Sequence, residues 1–432
     1  MILHDKISAQ LPEWRERVTK LLEEHGDKVV GEVTISQIYG GMRAVRALVT
    51  DISFVDPNEG IRFRGHTLPV VLERLPKPDG AEMPYVGGLY YLLMVGDFPT
   101  KEQALEVEAE WAKNSHVPDH VFKVLRDMPK DTHPMALFSQ AILTLQNDSK
   151  FAKRYAEGMS KMDLWEPALD DAMTLTSKLG VIAAFIYQLK YRAKAEPSYD
   201  PNLDFGANFA KMMGVDDKEY ADLIRLYFIL HSDHESGNVS AHTMHLVGSS
   251  LSDIFFAFSA AMNGLAGPLH GLANQNCLAF VMGIKDKFNG VPTKEQLTEY
   301  ANETLDSGRV IPGYGHAVLR VPDPRYTAQF KFGKEHFPND ELFMIVQMMD
   351  EIIPAVLKEQ GKAKNPWPNV DAVSGSLQYH YGITEFDFYT VLFGVGRALG
   401  VTANYVWARA LGQPLERPKS LTTKMLEDIA AG

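Results

Sequence analysis

The stretch FYTVLFGVGRALGVTANYVWARAL (388–411) admits two readings, and the choice between them decides the fold class. Its glycines Gly394, Gly396 and Gly400 resemble a loosened dinucleotide-binding fingerprint, with Glu416 at about the distance of a ribose-binding carboxylate. A fingerprint of that kind needs a strand, a tight turn and then a helix. Here the apolar residues keep helical character throughout and Arg397 interrupts the glycines. The segment therefore reads as one buried helix whose glycines let neighbouring helices approach closely. Residues 175–189, 224–230, 252–262 and 342–357 share this pattern, with apolar side chains on more than one face. Helices of that kind need neighbours on several sides, which predicts a large multi-layer helical domain. Thr100 with Gln103 and Thr293 with Gln296 form capping boxes in the two PTKEQ copies, so both copies are helix starts and not a domain repeat. No extended run of period-two alternation competes, and the expected class is all-α.

At 432 residues the chain exceeds the roughly 250–300 at which one core stops growing, so two domains are expected. Hydrophobic residues make up 45% and charged residues 23%, which excludes disorder and collagen-like bias. The longest apolar runs, 179–189 and 254–267, fall short of the ~20 residues of a membrane-crossing helix, and a soluble protein is predicted. Acidic residues at Asp5, Glu13, Glu16, Glu23 and Glu24 do not suit a secretory or transit segment, so the first expectation is a cytoplasmic protein, with a processed mitochondrial matrix form as the alternative. Cys277 is the single cysteine, which rules out an internal disulfide and a Cys-based zinc site and agrees with an intracellular setting. A net charge of −12 repels nucleic acid and anionic lipid, so an anionic ligand would need a local basic pocket.

Glycine, proline, asparagine and histidine are densest in 264–271, 309–324 and 365–375, which read as functional loops. Of the 14 histidines, His231, His234, His242, His245 and His270 lie close together, and His316 occupies the next such loop. His231, His242 and His245 read as helix-face or core histidines satisfied by backbone carbonyls. His234 closes a helical run at HSDHESGN, where a side chain can face a cleft. The i, i+3 spacing of His231/His234 and His242/His245, with Asp233 and Glu235 nearby, raises a metal site, but the residue order matches no metallohydrolase motif. Arg309, Arg320, Arg325, Arg397 and Arg417 come from segments rich in glycine or proline or from helix ends, a set suited to bidentate carboxylate or phosphate recognition.

The segments NGLAGPLHGLANQ (263–275), SGRVIPGYGHAVLR (307–320), DPRY (323–326), KNPWPNVDAVSG (364–375) and LERPKS (415–420) together resemble citrate synthase, in its longer, eukaryotic-like branch. The resemblance runs from VVGEVT (29–34) through GIRFRG (60–65) and HSDHESGNVSAHT (231–243) to the C-terminal arginine. It implies a homodimeric acyltransferase in which residues 1–270 and 383–432 form a large helical domain and 271–382 a small one that closes over the substrates. The implied reaction joins acetyl-CoA, oxaloacetate and water into citrate and CoA through an enol, with propionyl-CoA and 2-methylcitrate as the alternative pair. It needs no metal or tightly bound cofactor, coenzyme A entering as the thioester cosubstrate. By the same resemblance His270 stabilises the enol, Asp371 removes the α-proton and His316 donates to the oxaloacetate carbonyl. His234, Arg325 and Arg397 hold oxaloacetate, and Arg417 reaches in from the partner subunit. Coenzyme A contacts are implied for the loop of Val310 and Gly313, for Arg320, Lys364 and Asn369, and for Arg43 and Lys161 from the partner.

Overall fold

The computed structural model describes residues 1–192 and 196–431, and among them the chain forms twenty α-helices and one small sheet. The helices Trp165–Tyr187 and Tyr389–Ala410 pack against each other at the centre. Tyr389–Ala410 buries every residue except Phe393 and Asn404, and Trp165–Tyr187 every residue except Glu166, Asp170 and Thr174. Helices without a solvent face have to be enclosed, and Val86–Val95, Pro134–Thr144, Lys218–His231, Val239–Ser249 and Ile254–Leu265 enclose Tyr389–Ala410. The segment from Trp165 through Arg192 is long and apolar enough to cross a membrane, unlike the shorter runs visible in the sequence, but its side chains are spent on this core.

The glycines of the opening stretch serve this packing. A Cβ on Gly394 would meet Met262 Sδ at 2.8 Å and Phe138 Cε1 at 2.9 Å, and one on Gly396 would meet His231 Cβ at 3.3 Å. Gly400 is tightest: its N–H donates to Ser232 O at 3.0 Å, and a Cβ there would stand 2.3 Å from Asp233 Cβ. Three glycines on one helix thus admit three different neighbours, and no phosphate-binding turn is formed. Both PTKEQ capping boxes are present, Thr100 Oγ1 accepting from Gln103 N and Thr293 Oγ1 from Gln296 N, with each glutamine side chain returning to the threonine amide.

A second group of helices, Ala273–Phe288, Lys294–Asp306, Pro324–His336, Glu341–Gln360 and Asp371–His380, packs together and rests on Lys218–His231. Within it the segment read as a loop over 365–375 turns helical at Asp371. The sequence hides this start because Gly375 is a poor helix former. The glycine is required by packing: a Cβ there would lie 2.5 Å from Asn274 Oδ1 and 3.0 Å from Leu278 Cβ.

The sequence reading contained no strands, yet Ser53–Asp56 and Gly60–Phe63 pair antiparallel, with His66–Thr67 added along Gly60–Phe63. Strands of four, four and two residues are too short to show an alternation by which they could be recognised.

Two alanine substitutions separate packing glycines from idle ones. Gly400→Ala is expected to lower stability by about 3 kcal/mol, since backbone and Asp233 must both give way. Gly283→Ala, in the interior of Ala273–Phe288 with nothing nearer than Tyr300 Oη at 4.0 Å, should raise stability by about 0.5–1 kcal/mol. Chemical denaturation of the two variants measures both signs.

Candidate active site

The turn after Lys218–His231, the N-terminus of Val239–Ser249, the end of Ile254–Leu265 and the middle of Tyr389–Ala410 meet at one point. Arg397 lies there with 1% of its surface exposed. Its Nη1 donates to Asn238 Oδ1 at 2.9 Å and Ser240 Oγ at 3.1 Å, and its Nε to His231 O at 3.3 Å. Burial lowers its pKa to about 10, offset by nearby Asp233, so the guanidinium stays charged at neutral pH. Ser240 also touches His270, whose Nε2 lies 3.2 Å from Ser240 N and 2.9 Å from its Oγ.

A backbone N–H can only donate, so His270 Nε2 is an acceptor and the ring proton sits on Nδ1. Burial, with Arg397 adding repulsion, lowers the His270 pKa to about 4 and keeps the ring neutral. His316 is fixed in the opposite tautomer. Its Nδ1 accepts from Val318 N and Leu319 N, both at 3.0 Å, which leaves the proton on Nε2. Burial and Arg325 lower its pKa to about 4 as well. The rings of His316 and His234 lie with centroids 5.5 Å apart, tilted by 50°. His234 is held well below the usual histidine range by burial, then by Arg325, His316 and Arg397. Three neutral imidazoles therefore stand among two arginines.

Arg325, also buried, makes a forked pair with Asp323: Nη2 to Oδ2 at 2.7 Å and Nε to Oδ1 at 3.1 Å. Burial pushes Asp323 up, but Arg325 outweighs it and holds the carboxyl below its usual range. Asp371 begins its helix close enough to feel Arg325, yet burial dominates and lifts it to about 6. A network of loop contacts sets its place. Asn369 Oδ1 accepts from Asp371 N at 3.0 Å, Asn369 Nδ2 donates to Gly315 O at 3.0 Å, and Asn369 N donates to Gly313 O at 2.8 Å. Gly313, at φ +81°, permits this approach, since a Cβ would lie 2.8 Å from both Ala372 Cα and Cys277 Sγ.

His234, His270, His316, Asp371, Arg325 and Arg397 are thus brought together, with Gly313 and Asn369 beside Asp371, while the other candidates stand apart. Arg320 is exposed and turns its Nη1 back to Val318 O and Leu319 O at 2.9 and 2.7 Å. Val310 and Lys364 are exposed near the same loops. Arg43, Lys161 and Arg417 are exposed and, among the described residues, their side chains make no hydrogen bond or ion pair within the chain. Among the described residues the Arg309 side chain donates only to Ser307 Oγ, at 3.0 Å. His231 is a core histidine as read, with Nδ1 on Tyr227 O at 2.8 Å and its ring stacked on Tyr227. His242 and His245 differ from the reading: both turn to Glu416, the carboxylate at ribose-ligand spacing from the glycines, with His242 Nε2 at 3.1 Å and His245 Nδ1 at 2.5 Å. Sequence reasoning missed Asn238, Ser240 and Asp323. Two of them carried a helix-start signal, Asn238 before an apolar run and Asp323 before Pro324.

Residues 41–419 match the family model described as citrate synthase, C-terminal domain. The chain belongs to the citrate synthase family. It is 52% identical to the probable mitochondrial citrate synthase of Glossina morsitans morsitans, over 98% of this chain and 91% of that one. It is 51% identical to the mitochondrial citrate synthase of Xiphias gladius, over 98% and 90%. Its fold also matches the ternary complex of carboxymethyl coenzyme A and oxaloacetate with the Thermoplasma acidophilum citrate synthase, at TM-score 0.75 and 22% identity, over 91% and 97%. The enzyme is accordingly an acyltransferase that condenses acetyl-CoA, oxaloacetate and water to citrate and CoA, and relatives of this identity do not favour propionyl-CoA as its substrate.

The two tautomers can be read by 15N-histidine NMR. At pH 7 His270 is expected as the neutral Nδ1–H form and His316 as the neutral Nε2–H form. Each should gain its second proton only as the pH falls to about 4. A charged ring at pH 7 at either position would contradict the geometry.

Proposed function

We propose that His270, His316 and Asp371 carry out the condensation on oxaloacetate held by His234, Arg325 and Arg397. The observation that carries this reading is the pairing of a carboxylate raised to about 6 with two neutral imidazoles whose free N–H groups are set by backbone donors. A thioester α-proton is about fifteen pKa units less acidic than a carboxylic acid, a gap of ~20 kcal/mol. Raising Asp371 from 3.8 to about 6 recovers only ~3 kcal/mol of it. The developing enolate oxygen therefore needs a donor, and Nδ1–H of His270 supplies one, worth ~3–4 kcal/mol in a water-excluded site. A neutral donor suits this task because it stabilises the oxygen without first surrendering its proton to Asp371. The nucleophilic enolate carbon, its oxygen hydrogen-bonded by His270, then attacks the oxaloacetate carbonyl, whose oxygen takes the His316 Nε2 proton. The water of the next step returns a proton to His316 as its hydroxide attacks the thioester. Water hydrolyses the citryl thioester, and CoA leaves.

Arg325 and Arg397 oppose the charges of the dicarboxylate and draw electrons from the ketone. Orientation and exclusion of water must supply the rest of the barrier, which gives a purpose to closure of residues 271–382 over the remainder of the chain. For coenzyme A, Val310, Gly313, Arg320, Lys364 and Asn369 lie on the two loops that flank Asp371, and Arg43 and Lys161 would come from a partner. The chemistry calls for no metal or redox cofactor. The relatives are named mitochondrial, which favours the mitochondrial matrix over the cytoplasm expected first.

Asp371 acts only as the carboxylate, so kcat/KM should fall about tenfold per pH unit below a midpoint near 6. Asp371→Asn should lower kcat by at least ~10²-fold while oxaloacetate binding stays within several-fold, because the arginines remain. Steady-state kinetics across pH 5–8 check both, and near-normal turnover in the variant would sink the assignment.

A homodimer that shares Arg417 completes the reading. Supporting it are the exposed and unpaired Arg417 and the apolar surface left open on Val239, Leu246 and Phe256 and along Val29, Val30, Tyr39 and Met42. Asp371→Ala and Arg417→Ala homodimers, each nearly inactive, should rescue each other when unfolded and refolded together. Half the dimers are then mixed, each with one intact site, and activity should approach roughly a quarter of wild type. No rescue, with mixed dimers seen by mass spectrometry, would place Arg417 in its own subunit's site.

A further inference from the structure

The small sheet takes no part in the chemistry above, yet it touches both sides of the oxaloacetate site. Ser53, 3% exposed, donates its hydroxyl to Asp233 Oδ2 at 2.8 Å and accepts from Glu235 N at 2.8 Å. One hydroxyl therefore grips the residue before His234 and the residue after it. Along the same strand Val55 N donates to Glu235 Oε1 at 2.7 Å. Glu235 sits at φ +58°, a left-handed conformation that disfavours a residue with a side chain, so this turn persists only where its surroundings hold it. Asp233 is fully buried and, among the described residues, its Oδ1 has no hydrogen-bond partner while its Oδ2 accepts from Ser53.

The far end of the hairpin reaches the other side of the site. Pro57 O accepts from Arg320 N at 2.7 Å. Gly60, at φ +86°, lies so close to Pro324 that a Cβ would stand 2.3 Å from its Cγ. Arg320 lies in the loop after His316, and Pro324 opens the helix Pro324–His336 whose first turn carries Arg325. The hairpin thus runs from the His234 turn at Ser53 to the His316–Arg325 segment at Pro57 and Gly60.

We propose that this hairpin is a positioning element for oxaloacetate, holding the His234 turn in register with the His316–Arg325 segment, and that Ser53 is the positioning residue through which it acts on His234. The inference rests on the assignment of His234 to oxaloacetate made above.

The test compares Ser53→Ala, Ser53→Thr, His234→Gln and the Ser53→Ala/His234→Gln double variant by steady-state kinetics, with melting temperature as the check on folding. Ser53→Ala should raise the oxaloacetate KM about tenfold, as for a lost hydrogen bond to a buried carboxylate, and leave the acetyl-CoA KM within about twofold. Ser53→Thr, which keeps the hydroxyl, should return the oxaloacetate KM to within about threefold of wild type. Because Ser53 acts through His234, the double variant should bind oxaloacetate no worse than His234→Gln alone. A raised KM in His234→Gln beside an unmoved one in Ser53→Ala would overturn the inference alone, as would full additivity in the double variant. A normal oxaloacetate KM in His234→Gln would overturn the assignment of His234 and the inference with it.

Discussion

Arg397 carries a positive charge in the middle of a helix that has almost no solvent face, and the surrounding structure answers that charge. An uncompensated buried ion is costly, so polar groups must be brought to it. They come from one turn: His231 O, Asn238 and Ser240 by hydrogen bond, and Asp233 by opposite charge. To bring that turn close enough, the helix gives up side chains at Gly396 and Gly400, where it packs on His231 and Asp233. The same turn carries His234, and Ser240 also orients His270. Charge compensation for a single arginine therefore shapes much of the candidate site.

A chain of net charge −12 buries two arginines, Arg325 and Arg397, at this point, which makes the site locally basic within an acidic protein. Arg397 and Arg325 raise the local potential, which helps to keep three histidines neutral. Arg325 shares its charge with Asp323, so the field stays moderate near Asp371 and burial outweighs it. A stronger cationic field would depress Asp371 and weaken it as a base. The balance of paired and less fully paired arginine thus matters as much as their number.

Residues in the sequence pointed to the site segments more clearly than to its internal wiring. The loops around 264–271 and 309–324 drew attention through their glycine, proline and histidine, and His270, His316 and Arg325 were legible on family resemblance. Asn238, Ser240 and Asp323 were not, because such residues are abundant as helix caps and only their distant partners set these three apart. His242 and His245 were misread for the same reason, since their carboxylate partner, Glu416, lies 174 and 171 residues away.

The sequence by itself determined the helical class, the long buried helices and the two capping boxes, because apolar periodicity and cap spacing are local properties of the chain. It also determined that the glycines of 388–411 serve packing, since Arg397 and the unbroken helical pattern exclude a phosphate loop. Only the tertiary structure decided which neighbour each glycine admits, which tautomer each catalytic candidate adopts, where the helix of Asp371 begins and what the small sheet holds. Those features depend on hydrogen bonds and contacts between segments far apart in the chain, such as Arg397 to His231 across 166 residues, and no local pattern encodes the partner.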